Sequence, residues 1–256
     1  MAKQVCFNRD LSAMEAHLAF EARQTSRSSR PRLTAVQNHL PCLRTVEFDN
    51  NATCTWAVTN AHSIANRIDE LHLLMQTHKP YVICVTETWL TKDMPDSLFC
   101  PSDYSVVRFD RSVALFIHNS LNCSIVPIPT EFANIEMVCV DVTCFDSLYI
   151  VVGYYRSGGC SAEAIEYVLS SVQCLKKLCS TELTLVLLGD FNLPLIEWAF
   201  YHAIDNIIYN TFFRFYFYGL LQFVNVPTRG DNILDLVLST SSSFLCDDSA
   251  PLLHVL

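Results

Sequence analysis

Residues 183–192 read LTLVLLGDFN, and few arrangements of a chain accommodate them: a nearly unbroken apolar run passes straight into Gly-Asp-Phe-Asn. Runs of this kind belong to strands covered on both faces, whose polar tips are where ligands are met. Read as an extended strand end, the segment sets Asp190 and Asn192 two residues apart on one side, aimed at one point. A simple turn at Gly189 and Asp190 is the plainer reading of the same residues. Recurrence argues against it. Residues 81–85 (YVICV) end in Thr86-Glu87-Thr88-Trp89, and residues 55–58 (TWAV) lead into Thr59-Asn60. Residues 233–238 (ILDLVL) enclose a single acid, Asp235. A carboxylate in such a run is costly to bury unless it holds a cation or is hydrogen-bonded. Four strand ends thus offer Asn60, Glu87, Asp190 with Asn192, and Asp235.

All five are oxygen donors. That set suits a hard cation, Mg²⁺ or Mn²⁺, much better than zinc. A Mg²⁺ site uses one or two carboxylates, keeps several waters and completes its shell with substrate phosphate. The chemistry this suggests is hydrolysis of a phosphate ester.

In chain order, five groups of residues carry a resemblance: Thr59-Asn60-Ala61-His62-Ser63-Ile64 with Ile68-Asp69-Glu70-Leu71; Thr86-Glu87-Thr88-Trp89-Leu90; Gly153-Tyr154-Tyr155-Arg156-Ser157; Leu188-Gly189-Asp190-Phe191-Asn192; and residues 222–239, QFVNVPTRGDNILDLVLS. They resemble the endonuclease/exonuclease/phosphatase superfamily, and more narrowly the apurinic-type endonuclease domain at the front of non-LTR retrotransposon polyproteins. The resemblance implies an α/β fold, a four-layer α/β/β/α sandwich with its metal site at one end. It also implies a Mg²⁺- or Mn²⁺-dependent endonuclease with DNA as substrate, and a nuclear location. Glu87 is implied as the principal metal ligand, with Asn60 and Asp235 near the metal and its waters. Asp190 would orient or deprotonate the attacking water, Asn192 would hold the scissile phosphate, and Tyr155 would lie against it with Arg156 alongside. In-line attack on a phosphodiester needs those parts: a positioned water, a base, and a cation to take up developing charge. Thr228 and Arg229, in the turn before the last strand, are placed to donate to backbone phosphate.

Several of these residues carry a plainer alternative. Asn60 could cap the following segment, Tyr154 and Tyr155 could be ordinary strand aromatics, and Arg229 could be a solvated turn residue between Pro227 and Gly230. Trp89 reads as a core residue in preference to a base-stacking platform. Glu136, in NIEMVCVDV, is either an acid behind the site or a solvent-facing strand position.

The sequence also departs from the relatives it resembles. They close with Ser-Asp-His, whereas residues 250–256 (APLLHVL) hold His254 after a leucine. The expectation is a domain incomplete at its C-terminus, and loss of one such charge-stabilising donor costs about 100- to 1,000-fold in rate. Residues 108–116 (RFDRSVALF) lack a Gly-rich insertion, which shortens a loop beside the site, and Tyr-Arg-Pro-Pro has become Tyr155-Arg156-Ser157-Gly158. Aromatic residues crowd residues 200–221, where a polar helix is usual. Two readings follow: a metal-dependent DNA endonuclease, or a catalytically inactive retroelement-derived fragment that is at most a weak nucleic-acid-binding module.

At 256 residues the chain accommodates one principal domain, residues 53–256, after an N-terminal extension, residues 1–52. The extension contains TSRSSRPRL, and its Arg23, Arg27, Arg30 and Arg32 read as part of a disordered, solvated arm. A net charge of −9 is unusual for a nucleic-acid binder. A bound cation and local donors partly offset acidic site residues, so weak non-specific affinity is expected. Mean hydropathy is high at +0.25, but no apolar run reaches the ~18 residues of a membrane span and no signal peptide opens the chain. A soluble, intracellular protein is expected. The twelve cysteines include no C-x-x-C pair, and those within strands, such as Cys84 and Cys139, behave as small hydrophobes. Neither zinc nor a disulfide-linked partner is indicated. Helices are expected at residues 64–77 and Ala162–Leu178, alternating with strands at 81–85 and 183–188.

Overall fold

Three of the four apolar runs become interior strands of two sheets, and residues 55–58 become an edge strand. The computed structural model describes residues 46–48, 55–144, 147–157, 162–178, 183–194, 196–197, 202–203, 218–242 and 244–246, all within one unit, His39–Leu256. In chain order its elements are β1 (Val46–Phe48), β2 (Trp56–Asn60), α1 (Ile68–His78), β3 (Val82–Thr86), β4 (Tyr104–Phe109), β5 (Val113–His118), β6 (Asn122–Ile125), β7 (Met137–Cys144), β8 (Ser147–Tyr155), α2 (Ala162–Leu178), β9 (Thr184–Asp190), β10 (Ile196–Glu197), β11 (His202–Ala203), β12 (Leu221–Gln222), β13 (Asp235–Ser239) and β14 (Phe244–Cys246). One sheet has four strands in the order β2-β3-β5-β4, the other six in the order β12-β13-β9-β8-β7-β6. Within each, one pair is parallel, β2 with β3 and β8 with β9. β1 pairs with β14, and β10 with β11.

Strand alternation makes the layers. In the four-stranded sheet, Trp56, Val58, Val82, Cys84, Val113 and Leu115 join a core shared with β7, β8, β9 and β13. Their sequence neighbours Ala57, Ile83, Val85, Ala114 and Phe116 turn the other way, onto α1. Trp56 meets Tyr149 edge-on across the two sheets, ring centroids 5.3 Å apart. Gly153 of β8 leaves room for Leu115, whose Cγ would lie 2.9 Å from any Cβ placed there. Buried side chains of this size contribute ~1.5–3 kcal/mol each.

Both helices present a stripe to their sheet. In α1 the buried positions are Leu71, Leu74 and Met75, spaced as one helical face requires. Lys79 closes the helix in left-handed backbone and donates its N–H to the Met75 carbonyl. Val168, Leu169, Val172 and Leu175 of α2 enter the core of the six-stranded sheet. The order is helix, sheet, sheet, helix, as the resemblance implies.

Two expected boundaries move. The helix expected over 64–77 divides into a 3₁₀ turn, Ile64–Asn66, and α1, because Ile64 is tied by its N–H to Thr88 O (2.9 Å) while its carbonyl takes the Arg67 N–H (2.8 Å). β9 runs on through Gly189 and Asp190 instead of stopping at Leu188. Among the described residues no helix is long and apolar enough to cross a membrane. Cys84 and Cys139 are both buried. Burial pushes the Cys84 thiol far up, and it donates to Leu188 O at 3.2 Å.

Candidate active site

Strand register assembles the acids. Asn60 ends β2 beside Thr86, the last residue of β3, so Glu87 follows directly next to it. In the other sheet Asp190 ends β9 directly opposite Asp235, which begins β13. The two ends meet at Asn60, whose Nδ2 donates to Glu87 Oε1 at 2.8 Å and to Asp190 Oδ2 at 3.3 Å. Arg229 closes the ring: its Nη2 lies 3.3 Å from Glu87 Oε1 and 3.1 Å from Asp190 Oδ2. A cation therefore already stands between the two carboxylates, and the solvated-turn reading of Arg229 does not hold.

Several expected placements change in detail. Asn60, expected near the metal and its waters, has its Oδ1 accepting the His62 N–H at 3.1 Å. With two carboxylates before it, the amide turns its donor towards them. Asp190 and Asn192 do not share one face of an extended strand, because Asn192 has φ +47°. Its N–H instead folds back onto Asp190 Oδ1 at 2.9 Å, a local turn that fixes that carboxylate. Gly189 is a strand residue at φ +147°, and a Cβ there would sit 1.8 Å from Tyr154 O. Arg156 is buried, and its Nη1 donates to Phe191 O (3.3 Å) and Asn192 O (3.2 Å). It braces the turn that carries Asn192 and does not face outward. Thr228 is buried as well, its Oγ1 accepting the N–H groups of Leu234 (2.9 Å) and Asp235 (3.1 Å). That hydroxyl fixes where β13 starts, and thereby Asp235.

Burial with charge sets the proton affinities. Asp190 is wholly buried, and burial followed by the neighbouring Asp235 carboxylate raises its pKa, against the opposing pull of Arg229. Burial also pushes Glu87 upward, but hydrogen bonds from Asn60 and His62 and the charge of Arg229 outweigh it and hold this carboxyl below its ordinary value. Burial and the Glu87 and Asp190 charges push the Tyr155 phenol up to about 12, so it remains a neutral donor. Among the described residues no three His, Cys, Asp or Glu side chains by themselves form a metal cage. The donor set fits a hard cation nonetheless: Glu87 and Asp190 share one point, and a guanidinium occupies it as a stand-in charge.

Two features depart from the sequence expectation, and a third decides between its alternatives. His62 Nδ1 donates to Glu87 Oε2 at 2.9 Å. Trp89, expected in the core, is 48 % exposed. Glu136 accepts the Ser112 hydroxyl at 2.7 Å and gives its carbonyl to Tyr155 N, so it stands behind the site instead of facing solvent. His62, Glu87 and Trp89 all have φ between +45° and +52°, a conformation that no non-glycine side chain announces in sequence. Residues 1–45, most of 200–217 and His254 lie outside the described residues.

No protein-family model matches the sequence, and no curated protein does. Solved structures do match. The endonuclease domain of TRAS1, a telomere-specific non-LTR retrotransposon, aligns with TM-score 0.55 at 15% identity over 72% of this chain and 83% of that one. The AP endonuclease LMAP of Leishmania major aligns with TM-score 0.56 at 12% identity over 86% of this chain and 90% of its own. An AP endonuclease from Archaeoglobus fulgidus aligns with TM-score 0.54 at 15% identity, over 72% and 86%. Layer order, sheet topology and these alignments agree that the chain has the endonuclease/exonuclease/phosphatase fold.

Proposed function

We propose that the chain hydrolyses phosphodiester bonds in DNA with the help of a divalent cation, in the manner of a retrotransposon-type endonuclease. The observation that carries this reading is the convergence of Asn60, Glu87, Asp190 and Asp235 from the ends of two facing sheets onto one point. Solved structures titled as endonucleases share the fold.

Glu87, kept ionised by its donors, would hold Mg²⁺ or Mn²⁺ with Asp235 and Asn60 nearby. The cation would take up charge on the phosphate oxygens. Asp190 accepts the proton of the attacking water, and its raised proton affinity suits that task near neutral pH. Its Oδ1 is fixed by the Asn192 N–H and its Oδ2 by Asn60 and Arg229, so the base has one orientation. Asn192 and the protonated Tyr155 hydroxyl serve as neutral donors to the scissile phosphate. Asn60 orients Glu87, Arg156 and Thr228 hold the turns that carry Asn192 and Asp235, and Arg229 balances the carboxylates until a phosphate or a cation competes for its place.

Nicking of supercoiled plasmid by the purified chain tests the reading. Relaxation that requires Mg²⁺, stops in EDTA and is lost in Glu87→Ala is the expected result. A folded sample that leaves the plasmid intact in Mg²⁺ and in Mn²⁺ would favour an inactive, at most nucleic-acid-binding, protein.

A further inference from the structure

β2 and β3 are parallel neighbours, so the loops that follow them leave the sheet side by side. The first carries His62 and the second Trp89. Their rings lie 4.6 Å apart between centroids at 55°, and both are about half exposed, His62 at 48% and Trp89 at 48%. The pair continues directly from the acid cluster, since His62 Nδ1 is bonded to Glu87 Oε2 at 2.9 Å.

Leaving a tryptophan in water forfeits the burial that an aromatic of this size otherwise contributes, and this one is held there by a costly backbone. His62 (φ +45°), Glu87 (φ +49°) and Trp89 (φ +52°) are all left-handed without being glycine, a strain that persists only where the surroundings over-determine it and that gathers at ligand clamps. The surroundings do so here. Ser63 N donates to Glu87 O at 2.8 Å, Ile64 N to Thr88 O at 2.9 Å, and Trp89 N to Arg111 O at 3.0 Å. The outward tryptophan is built in.

We propose that Trp89, buttressed by His62, is a stacking platform for an unpaired nucleobase one step along the strand from the scissile phosphate. This rests on the hydrolase reading for the phosphate's position. Every base has a π-face, so such a platform gives affinity without choosing sequence. It makes the preferred substrate one with a splayed or single-stranded nucleotide beside the cut.

The test uses the Asp190→Asn chain in Mg²⁺, where turnover is blocked, and two labelled strands of equal length and charge: oligothymidylate, and the same backbone carrying no bases. Binding to the thymidylate about ten-fold tighter than to the base-free strand is expected. Trp89→Ala should abolish that ratio and Trp89→Phe should keep part of it, with melting temperatures near the parent's because the ring is half exposed. Equal binding of the two strands by the parent, absence of binding included, or a ratio unchanged in Trp89→Ala, would overturn the platform. Plasmid nicking by the unmutated chain reports separately. Nicking without base preference sinks the platform alone, and base preference without nicking sinks the hydrolase alone.

Discussion

At the scale of single residues, the site is governed by who neutralises its acids. Arg229 serves Glu87 and Asp190 together, so Arg229→Gln should weaken the metal-free protein while freeing the point a divalent cation would take. Its side chain is 36% exposed, which puts the loss well below that of a fully buried pair, at about 1–2 kcal/mol. For a domain of this size that is a fall in Tm of about 3–6 °C in EDTA. Added Mg²⁺ should raise the Tm of Arg229→Gln more than that of the parent, and an equal rise in both would mean that Arg229 does not compete for the site. Asp190 and Glu87 give stability opposite pH dependences. The folded state binds the Asp190 proton more tightly than the unfolded chain does, so stability falls as pH rises from the ordinary carboxylate range towards the raised value. Glu87 is shifted downward, so its contribution is present above the ordinary carboxylate range and is lost as pH falls through its lowered value. Thermal unfolding in EDTA between pH 5 and 8 should show the declining limb in the parent and a flatter one in Asp190→Asn. Equally steep limbs would remove Asp190 as its cause.

At the scale of elements, the closest tolerance is where β8 passes β9. Tyr154 and Gly189 are register partners, and a Cβ at Gly189 would overlap the Tyr154 carbonyl at 1.8 Å in a backbone already at φ +147°. Gly189→Ala must spread the two strands that carry Tyr155 and Asp190, at about 3 kcal/mol or more. Chemical denaturation should show the loss, and a midpoint within error of the parent's would mean the strands part freely. The same pair shows what a sequence can announce. The apolar run before Gly189 declared a buried strand, and the acid at its end declared a site. The run does not tell how far the strand extends, because Gly189 and Asp190 have the character of a turn and are held in the sheet by pairing with Leu236 and Asp235. α2 was legible at both ends, since its apolar spacing runs unbroken over Ala162–Leu178. The break at Arg67 was not, because the bond from Ile64 to Thr88 that imposes it comes from another loop. Arg156 and Thr228 stood out in the sequence by residue type, but nothing in it marked them as braces. Their types suit phosphate, and only tertiary packing turns them onto Asn192 and Asp235. Trp89 was misplaced for a related reason: an aromatic after a buried strand is core by default, and the left-handed turn at Glu87 reverses that.

At the scale of the whole molecule, the charge balance decides how the chain would meet a polyanion. Lys and Arg number 17 against 26 Asp and Glu, and the described site places Glu87, Asp190 and Asp235 where the phosphate would arrive. On the proposed reading, affinity would then come less from a broad field that gathers backbone phosphates than from a bound cation, a few donors and stacking. Each phosphate neutralised by Lys or Arg contributes about −0.9 to the slope of log K against log salt on duplex DNA. Among the described residues, Arg229 lies in the site and can reach solvent, Arg156 is buried there, and the exposed Arg111 is in backbone contact with Trp89 and Leu90. A slope of about −2 is therefore expected for the Asp190→Asn chain on duplex DNA at fixed Mg²⁺, measured by fluorescence anisotropy across a salt series. A slope of about −5 or steeper would contradict this. It would mean that arginines remote in sequence, with Arg23, Arg27, Arg30 and Arg32 the first to consider, reach the backbone. Replacing those four by Gln would then return the slope to about −2. If the slope is shallow from the start, the same four replacements should leave it unchanged, and recognition belongs to the strand ends that hold the acids.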